Sequence, residues 1–274
     1  MTINCAGKLI DLSQPKVMGI LNITPDSFFS GSRTAEKDAV LSKAEKMLED
    51  GADFLDIGGY SSRPQAENIS VETELKRVVP VVELLLQYFP NALLSIDTFR
   101  SKVAEESIAT GAHIINDISA GNLDKKMIPI IAKYQVPYIM MHMKGTPQNM
   151  KEQNQYKNML QEILYYFSEK VKQVREAGIN DLIIDPGFGF AKNITQNFEL
   201  LNKLEIFQML ELPVLTGISR KSLIYKTLNT TAENALNGTS ILNTICLQKG
   251  ANILRVHDVK EAVECVKLVS QMKK

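Results

Sequence analysis

An α/β fold, a single (β/α)8 TIM barrel with a short N-terminal extension, is what this sequence predicts, and three observations predict it. Eight short apolar runs recur along the chain, alternating with helix-patterned stretches. Several runs are apolar on both faces, as in Ile139-Met-Met141 and Leu182-Ile-Ile184, which suits parallel strands covered by helices. Polar residues then recur at the ends of these runs: Asp97, Asn116, Asp185, Lys221 and Arg255. Such barrels gather their chemistry there, because the loops after the strands converge on one face.

The elements follow in order. Val17–Leu21 is the first strand, ended by the turn-rich Asn22-Ile-Thr-Pro-Asp-Ser27, and helix pattern runs from Lys37 to Glu49 before the stop at Asp50-Gly51. Phe54–Ile57 is the second strand, followed by Gly58-Gly59 and a long helix over Val71–Tyr88. Strands three to eight are read at Leu93–Ile96, Ile114–Ile115, Val136–Met141, Asp181–Ile184, Leu212–Thr216 and Asn252–Val256, with Gly stops at Gly111, Gly178 and Gly250. Eight strand–helix units favour a closed barrel over an open doubly wound sheet. At 274 residues, with no linker or composition shift to split the chain, one domain over 1–274 is expected.

Composition excludes some functions. Lys plus Arg equals Asp plus Glu at 31 each, a formal net charge of zero, and nucleic acid or an anionic membrane would call for a basic surplus. Met1–Lys16 lacks the apolar core of a signal peptide and no run approaches a membrane span. Cys5, Cys246 and Cys265 are scattered, which reads as free thiols in a reducing cytosol. Three His without paired Cys argue against zinc.

The strand-end residues suggest a ligand. A carboxylate beside an amide can accept from the adjacent N–H groups of a guanidine-like edge. Three such acceptors at strand ends (Asp97, Asn116, Asp185) therefore point to a heterocycle, against the plainer use of Asp and Asn as helix caps. Cations in Ser219-Arg-Lys-Ser222 and Arg255-Val-His-Asp258 follow strands seven and eight, the usual phosphate position of the fold. Gly58-Gly-Tyr-Ser-Ser-Arg-Pro64 joins hydroxyls to a guanidinium, a second anion site. Phe28-Phe29 in a Gly/Ser loop suits a lid, and Asn22 offers an amide oxygen to a hard cation such as magnesium. His257 beside Arg255 could neutralise a leaving phosphate, His142 reads as a packed rim histidine, and His113 as structural. Gly187-Phe-Gly-Phe190 lacks the third glycine of a dinucleotide fingerprint.

The chain resembles the bacterial dihydropteroate synthases over nearly its whole length. The motifs that carry the likeness are Asn22-Ile-Thr-Pro-Asp-Ser-Phe28, Asp56-Ile-Gly-Gly59 with Ser61-Ser-Arg-Pro64, Ser95-Ile-Asp-Thr98, Ile115-Asn-Asp-Ile118, Met141-His-Met143, Asp185-Pro-Gly-Phe-Gly-Phe190, Gly217-Ile-Ser-Arg-Lys-Ser222 and Arg255-Val-His-Asp258. The resemblance implies a cytoplasmic, homodimeric transferase of folate biosynthesis that joins 4-aminobenzoate to hydroxymethyl-dihydropterin diphosphate, with Mg2+ as cofactor and sulfonamides as competitive inhibitors. It implies that Asp97, Asn116 and Asp185 hold the pterin, with Lys221 at its carbonyl and ring nitrogen and Met141 and Gly217 lining the pocket. Asn22 would ligate magnesium, and Ser62, Arg63, Arg255 and His257 would meet the diphosphate side. Phe28, Pro64, Phe190, Lys221 and Ser222 would form the aminobenzoate side. Asp97, Lys221, Arg255 and His257 would be the catalytic group.

Tyr60, Ser62, Gln65, Phe29, Ser30 and Ala191 depart from the commoner pattern, where Glu, Thr, Gly, Ser, Asp and Gly are frequent. Two rival readings share the barrel: a pterin-domain methyltransferase and a non-catalytic pterin-binding barrel. The first gives no reason for the cations after strands seven and eight, and the second usually loses them or the magnesium ligand.

Overall fold

The computed structural model describes residues 1–23, 33–61 and 68–272. Its main sheet has eight parallel strands: β3 (Lys16–Asn22), β4 (Phe54–Gly58), β5 (Leu94–Asp97), β6 (Ile114–Asp117), β7 (Tyr138–Met141), β8 (Leu182–Asp185), β9 (Leu215–Thr216) and β10 (Ile253–Val256). Hydrogen-bonded order runs β8-β7-β6-β5-β4-β3-β10-β9, and the parallel bridge Ile184–Val214 closes the circle. The helices are α1 (Arg33–Glu49), α2 (Val71–Tyr88), α3 (Ser101–Thr110), α4 (Met127–Tyr134), α5 (Met159–Glu176), α6 (Ile194–Asn202), α7 (Ser222–Thr227), α8 (Leu236–Gln248) and α9 (Val259–Gln271). The barrel is as expected, and α2 has the expected bounds. β6 continues through Asn116-Asp117, whereas β9 is two residues long, since Pro213 has no N–H and the Val214 N–H goes to Asn252 Oδ1 (2.9 Å) rather than to a neighbouring strand's carbonyl.

Strand alternation sorts the side chains into two cores. Outward residues such as Leu55, Ile57, Leu94, Ile96, Met140 and Ile184 pack under the helices. Inward residues of the first turn of the barrel, Met18, Phe54, Ile114, Ile139, Ile183, Leu215 and Ile253, form a separate buried layer. Burying each such side chain stabilises the fold by roughly 1.5–3 kcal/mol.

The N-terminal extension has more structure than the sequence reading gave it. β1 (Thr2–Cys5) and β2 (Lys8–Asp11) form an antiparallel hairpin. Its turn, Ala6-Gly7, has positive φ at both positions (51° and 85°), the geometry that matches the twist of a two-residue hairpin and that glycine adopts freely. Ile3, Cys5, Ile10 and Leu12 are buried against the apolar layer, so the hairpin caps the N-terminal end of the barrel. Asn252 Nδ2 donates to Leu12 O (2.9 Å) and Asn4 N to Asp181 Oδ1 (3.2 Å), fixing it there.

Candidate active site

Two residues along each strand from the apolar layer, the interior becomes polar. Asp56, Ser95, Asn116, Met141, Asp185 and Arg255 face inward there, and Gly58 and Asp97 lie one step higher. Asp56 is fully buried and Asn116 and Asp185 nearly so. Arg255 donates from Nε to Asp56 Oδ2 (2.5 Å) and from Nη2 to Asp97 Oδ2 (2.6 Å), while Asn116 Nδ2 donates to Asp56 Oδ2 (3.0 Å). One guanidinium thus holds two carboxylates, and its third nitrogen, Nη1, has no partner among the described residues. Asp56 Oδ1 and Ser95 Oγ are also buried without a hydrogen-bond partner among the described residues. Acceptor capacity left open in a buried site is costly unless a ligand takes it up.

The electrostatics follow from burial. Burial raises Asp97 to about 7 against the pull of Arg255, with Asp56 adding to the rise. Asp185 is also raised by burial, opposed by Lys221 and by the Gly187 N–H it accepts at 2.8 Å. Burial lowers Lys221 to about 8, with Asp185 opposing. Arg255 stays a cation, held up by its two carboxylates against burial. None of the three strand-end acceptors Asp97, Asn116 and Asp185 is a helix cap: α3, α4 and α6 start after Arg100, Lys126 and Asn193.

Lys221 stands at the N-terminus of α7, donating to Phe188 O (2.5 Å), with its ammonium 4.7 Å from the Phe190 ring centre. A methyl group on Gly217 would lie 3.8 Å from Lys221 Nζ and 4.0 Å from Asp185 Oδ2. The bare glycine therefore leaves a backbone floor between the two charges. Ser222 opens α7 beside Lys221 and is half-buried. His257 Nδ1 pairs with Ser219 Oγ (3.0 Å), and burial with the neighbouring Arg255 lowers its pKa to about 4. Arg220 belongs elsewhere: both Nε and Nη2 bond Asp258 at 2.8 Å, and Nη1 bonds Ala232 O (2.9 Å). Of the cations after strands seven and eight, Lys221 faces the mouth and Arg220 ties the two loops together.

Asn22 ends β3 with its side chain exposed at the mouth. A methyl on Gly58 would stand 3.5 Å from Asn22 Oδ1 and 3.8 Å from Asp97 Oδ2, so the amide oxygen and the carboxylate share one corner. A hard oxygen donor beside a carboxylate suits magnesium. Among the described residues no group of three or more His, Cys, Asp or Glu could hold a metal alone, so most of an ion's ligands would come from the substrate and water. Phe28, Ser62, Arg63 and Pro64, with Phe29, Ser30 and Gln65, lie outside the described residues. Asp117 points outward, where Ser119, Gly121 and Tyr138 donate to it. His142 is buried in the rim as expected, edge-on to Tyr166 at 5.0 Å, and burial lowers it to about 2. His113 accepts from Leu94 N (3.2 Å) at the far end of the barrel.

Asp56 is the residue that the sequence reading did not assign. Its signal is a carboxylate in the middle of the apolar run Phe54-Leu-Asp-Ile57, in phase with Gly58 at the strand end. Apolar surface rims the mouth as well: Ile118, Met141, Met143 and Met150 cluster with Phe99 and Phe190. Buried acceptors below, an aromatic and Met rim, and cations at the loops after β9 and β10 define an enzyme pocket for a flat polar heterocycle with an anionic arm.

Comparison with known proteins agrees. Residues 18–257 match the family model described as pterin binding enzyme. The dihydropteroate synthase of Escherichia coli K12 is 42% identical over 271 residues, 98% of this chain and 95% of that one. A Yersinia pestis dihydropteroate synthase crystallised as a sulfonamide drug complex superposes with a TM-score of 0.92 at 42% identity, covering 100% of this chain and 99% of that one. The Xanthomonas albilineans dihydropteroate synthase with 4-aminobenzoic acid gives 0.91 at 36% identity, with coverage of 99% and 98%. The chain belongs to the pterin-binding enzymes and, within them, to the dihydropteroate synthases. No helix among the described residues is long and apolar enough to cross a membrane.

Proposed function

We infer that this mouth joins 4-aminobenzoate to (7,8-dihydropterin-6-yl)methyl diphosphate, releasing pyrophosphate, in a cytoplasmic enzyme built as one barrel domain. The observation that carries the reading is the buried acceptor layer, in which Asp56 Oδ1 is unpaired and Asp185 stands beside Lys221. Asp185 and Asn116 accept from and orient the amino-pyrimidine edge of the pterin, and Lys221 donates to its carbonyl and ring nitrogen. Met141 packs on the ring face and Gly217 admits it.

The methylene–oxygen bond breaks with its electron pair leaving on the diphosphate, and the positive charge that develops spreads into the pterin ring. Asp56 and Asp97 are fixed in place by Arg255 and stabilise that charge without reorganising. Arg255 Nη1 and His257 Nε2 face the departing diphosphate. Magnesium, when bound through Asn22 and diphosphate oxygens, would neutralise charge on the leaving group. The neutral aniline nitrogen of aminobenzoate, lodged against Phe190 and Lys221 and near Ser222, forms the C–N bond and then loses its proton. Ser62, Arg63, Pro64 and Phe28 complete the diphosphate and aminobenzoate sides. Sulfonamides, which bind the Yersinia pestis relative, compete with aminobenzoate here.

Pyrophosphate release from the two substrates tests this. Turnover that needs both substrates and disappears on chelation is expected, with Lys221→Ala raising KM for both. Sustained multiple-turnover release without aminobenzoate would refute the reaction, and full activity in chelator the role of Asn22.

A further inference from the structure

The segment after β8 is held by side chains at several polar backbone atoms. Gly187 N donates to Asp185 Oδ1, Phe188 O accepts from Lys221, and Gly189 N donates to Asn197 Oδ1 (2.7 Å). One side chain bonds two of the segment's carbonyls: Lys192 Nζ donates to Gly187 O (3.0 Å), which also accepts from Phe190 N (3.1 Å), and to Phe190 O (3.1 Å). Its third neighbour is His142 Nδ1 at 3.2 Å, in a ring that burial keeps neutral. Lys192 is 9% exposed, so no water shell competes for these bonds. The backbone it grips is unusual. Gly187 has φ +75°, and a Cβ there would stand 2.1 Å from His142 O. Ala191 has φ 48°, the left-handed region. Without a ligand for its carbonyls such a segment would relax.

We propose that Lys192 is a positioning residue for the aminobenzoate subsite: by bonding the carbonyls on both sides of Phe188-Gly189 it sets the Phe190 ring and the Phe188 carbonyl that receives Lys221. The ammonium touches no substrate and acts through Phe190 and Lys221. This rests on the placement of aminobenzoate against those two residues. The larger effect falls on aminobenzoate, because Phe190 meets that substrate alone, whereas the pterin is held chiefly by Asp185 and Asn116, anchored by β8 and β6, and feels Lys192 only through Lys221.

The test compares K192M, K192Q and F190A with the unaltered enzyme. Burial lowers the Lys192 amine to about 7, and it is a donor in either form; in K192M, KM for 4-aminobenzoate should rise about tenfold, the effect of leaving buried carbonyls without their donor. KM for the pterin diphosphate should move by less than about threefold, the scale of a neighbouring contact left intact. K192Q keeps a donor and should recover part of the loss. Hydrogen exchange at Gly189 and Phe190 amides, read without any substrate, should speed up in K192M and less in K192Q. If F190A leaves KM for aminobenzoate unchanged, the substrate placement fails, and the exchange rates alone then decide whether Lys192 sets this segment. Unaltered exchange, or equal rises in both KM values, overturns the proposal.

Discussion

The two ends of the barrel interior are built by the same strands and behave oppositely. At the N-terminal end, Phe54, Ile114, Ile183 and Ile253 fill the lumen with branched and aromatic carbon, and the hairpin seals it. Two residues further along those strands stand Asp56, Asn116, Asp185 and Arg255. The first layer is satisfied by contact alone. The second is a charged network with open acceptor capacity, which proteins retain where a ligand completes it. Stability resides at one end and chemistry at the other, separated by about 7 Å of strand.

Breaking the charged end should have the largest effect. Arg255→Met leaves Asp56 and Asp97 without their counter-charge, and should cost about 3–5 kcal/mol of stability, the typical result of orphaning a buried pair. Denaturant titration would show it, and turnover should be lost. Adding Asp97→Asn should restore part of the stability and none of the activity.

The apolar end should respond in stability only. Ile114→Ala should cost about 2–5 kcal/mol, while both KM values in the folded fraction stay put. A changed pterin KM would mean that the layers are coupled and would blur the comparison. Asp185→Asn is the converse: it should fold but lose roughly 1.5–3 kcal/mol of affinity for a pterin diphosphate analogue, read by calorimetry. Unchanged affinity would remove Asp185 from the pterin site.

The smallest effect concerns acid. The folded pKa of His142, about 2, lies below its ordinary 6.5, so the folded form binds fewer protons between those values. Its contribution to stability is present above pH 6.5 and is lost as pH falls through that window. Between pH 7 and 5 this one residue should account for about 2 kcal/mol of the lost stability. His142→Gln, which keeps an acceptor for Lys192, should flatten the acid limb by that amount in urea titrations at the two pH values.

The periodicity of the apolar runs was enough to place the eight strands, because strands apolar on both faces carry a local signal that tertiary contacts do not override. Strand-end acids and cations were legible for the same reason: the fold has one chemical end. The hairpin was missed because ten residues around Ala6-Gly7 show too short an alternation to stand out. Asp56 was missed because it sits inside a strand rather than at its end, and only the in/out phase reveals that it faces the lumen. Arg220 and Lys221 are neighbours of equal charge, and the sequence does not show that Asp258, 38 residues later, takes the first and leaves the second for the mouth. Lys192 shows the same gap, since its partners are backbone carbonyls that no side-chain pattern encodes.

The hairpin has a bearing on the order of assembly. Its apolar side rests on a layer that includes Ile253, and Leu12 is bonded by Asn252. Residues 2–12 therefore have no complete surface to dock on until β10 has been synthesised. Local pairing can close β1 on β2 within microseconds, but the seal forms only after the ring does. Docking of this hairpin thus reports that β10 is in place.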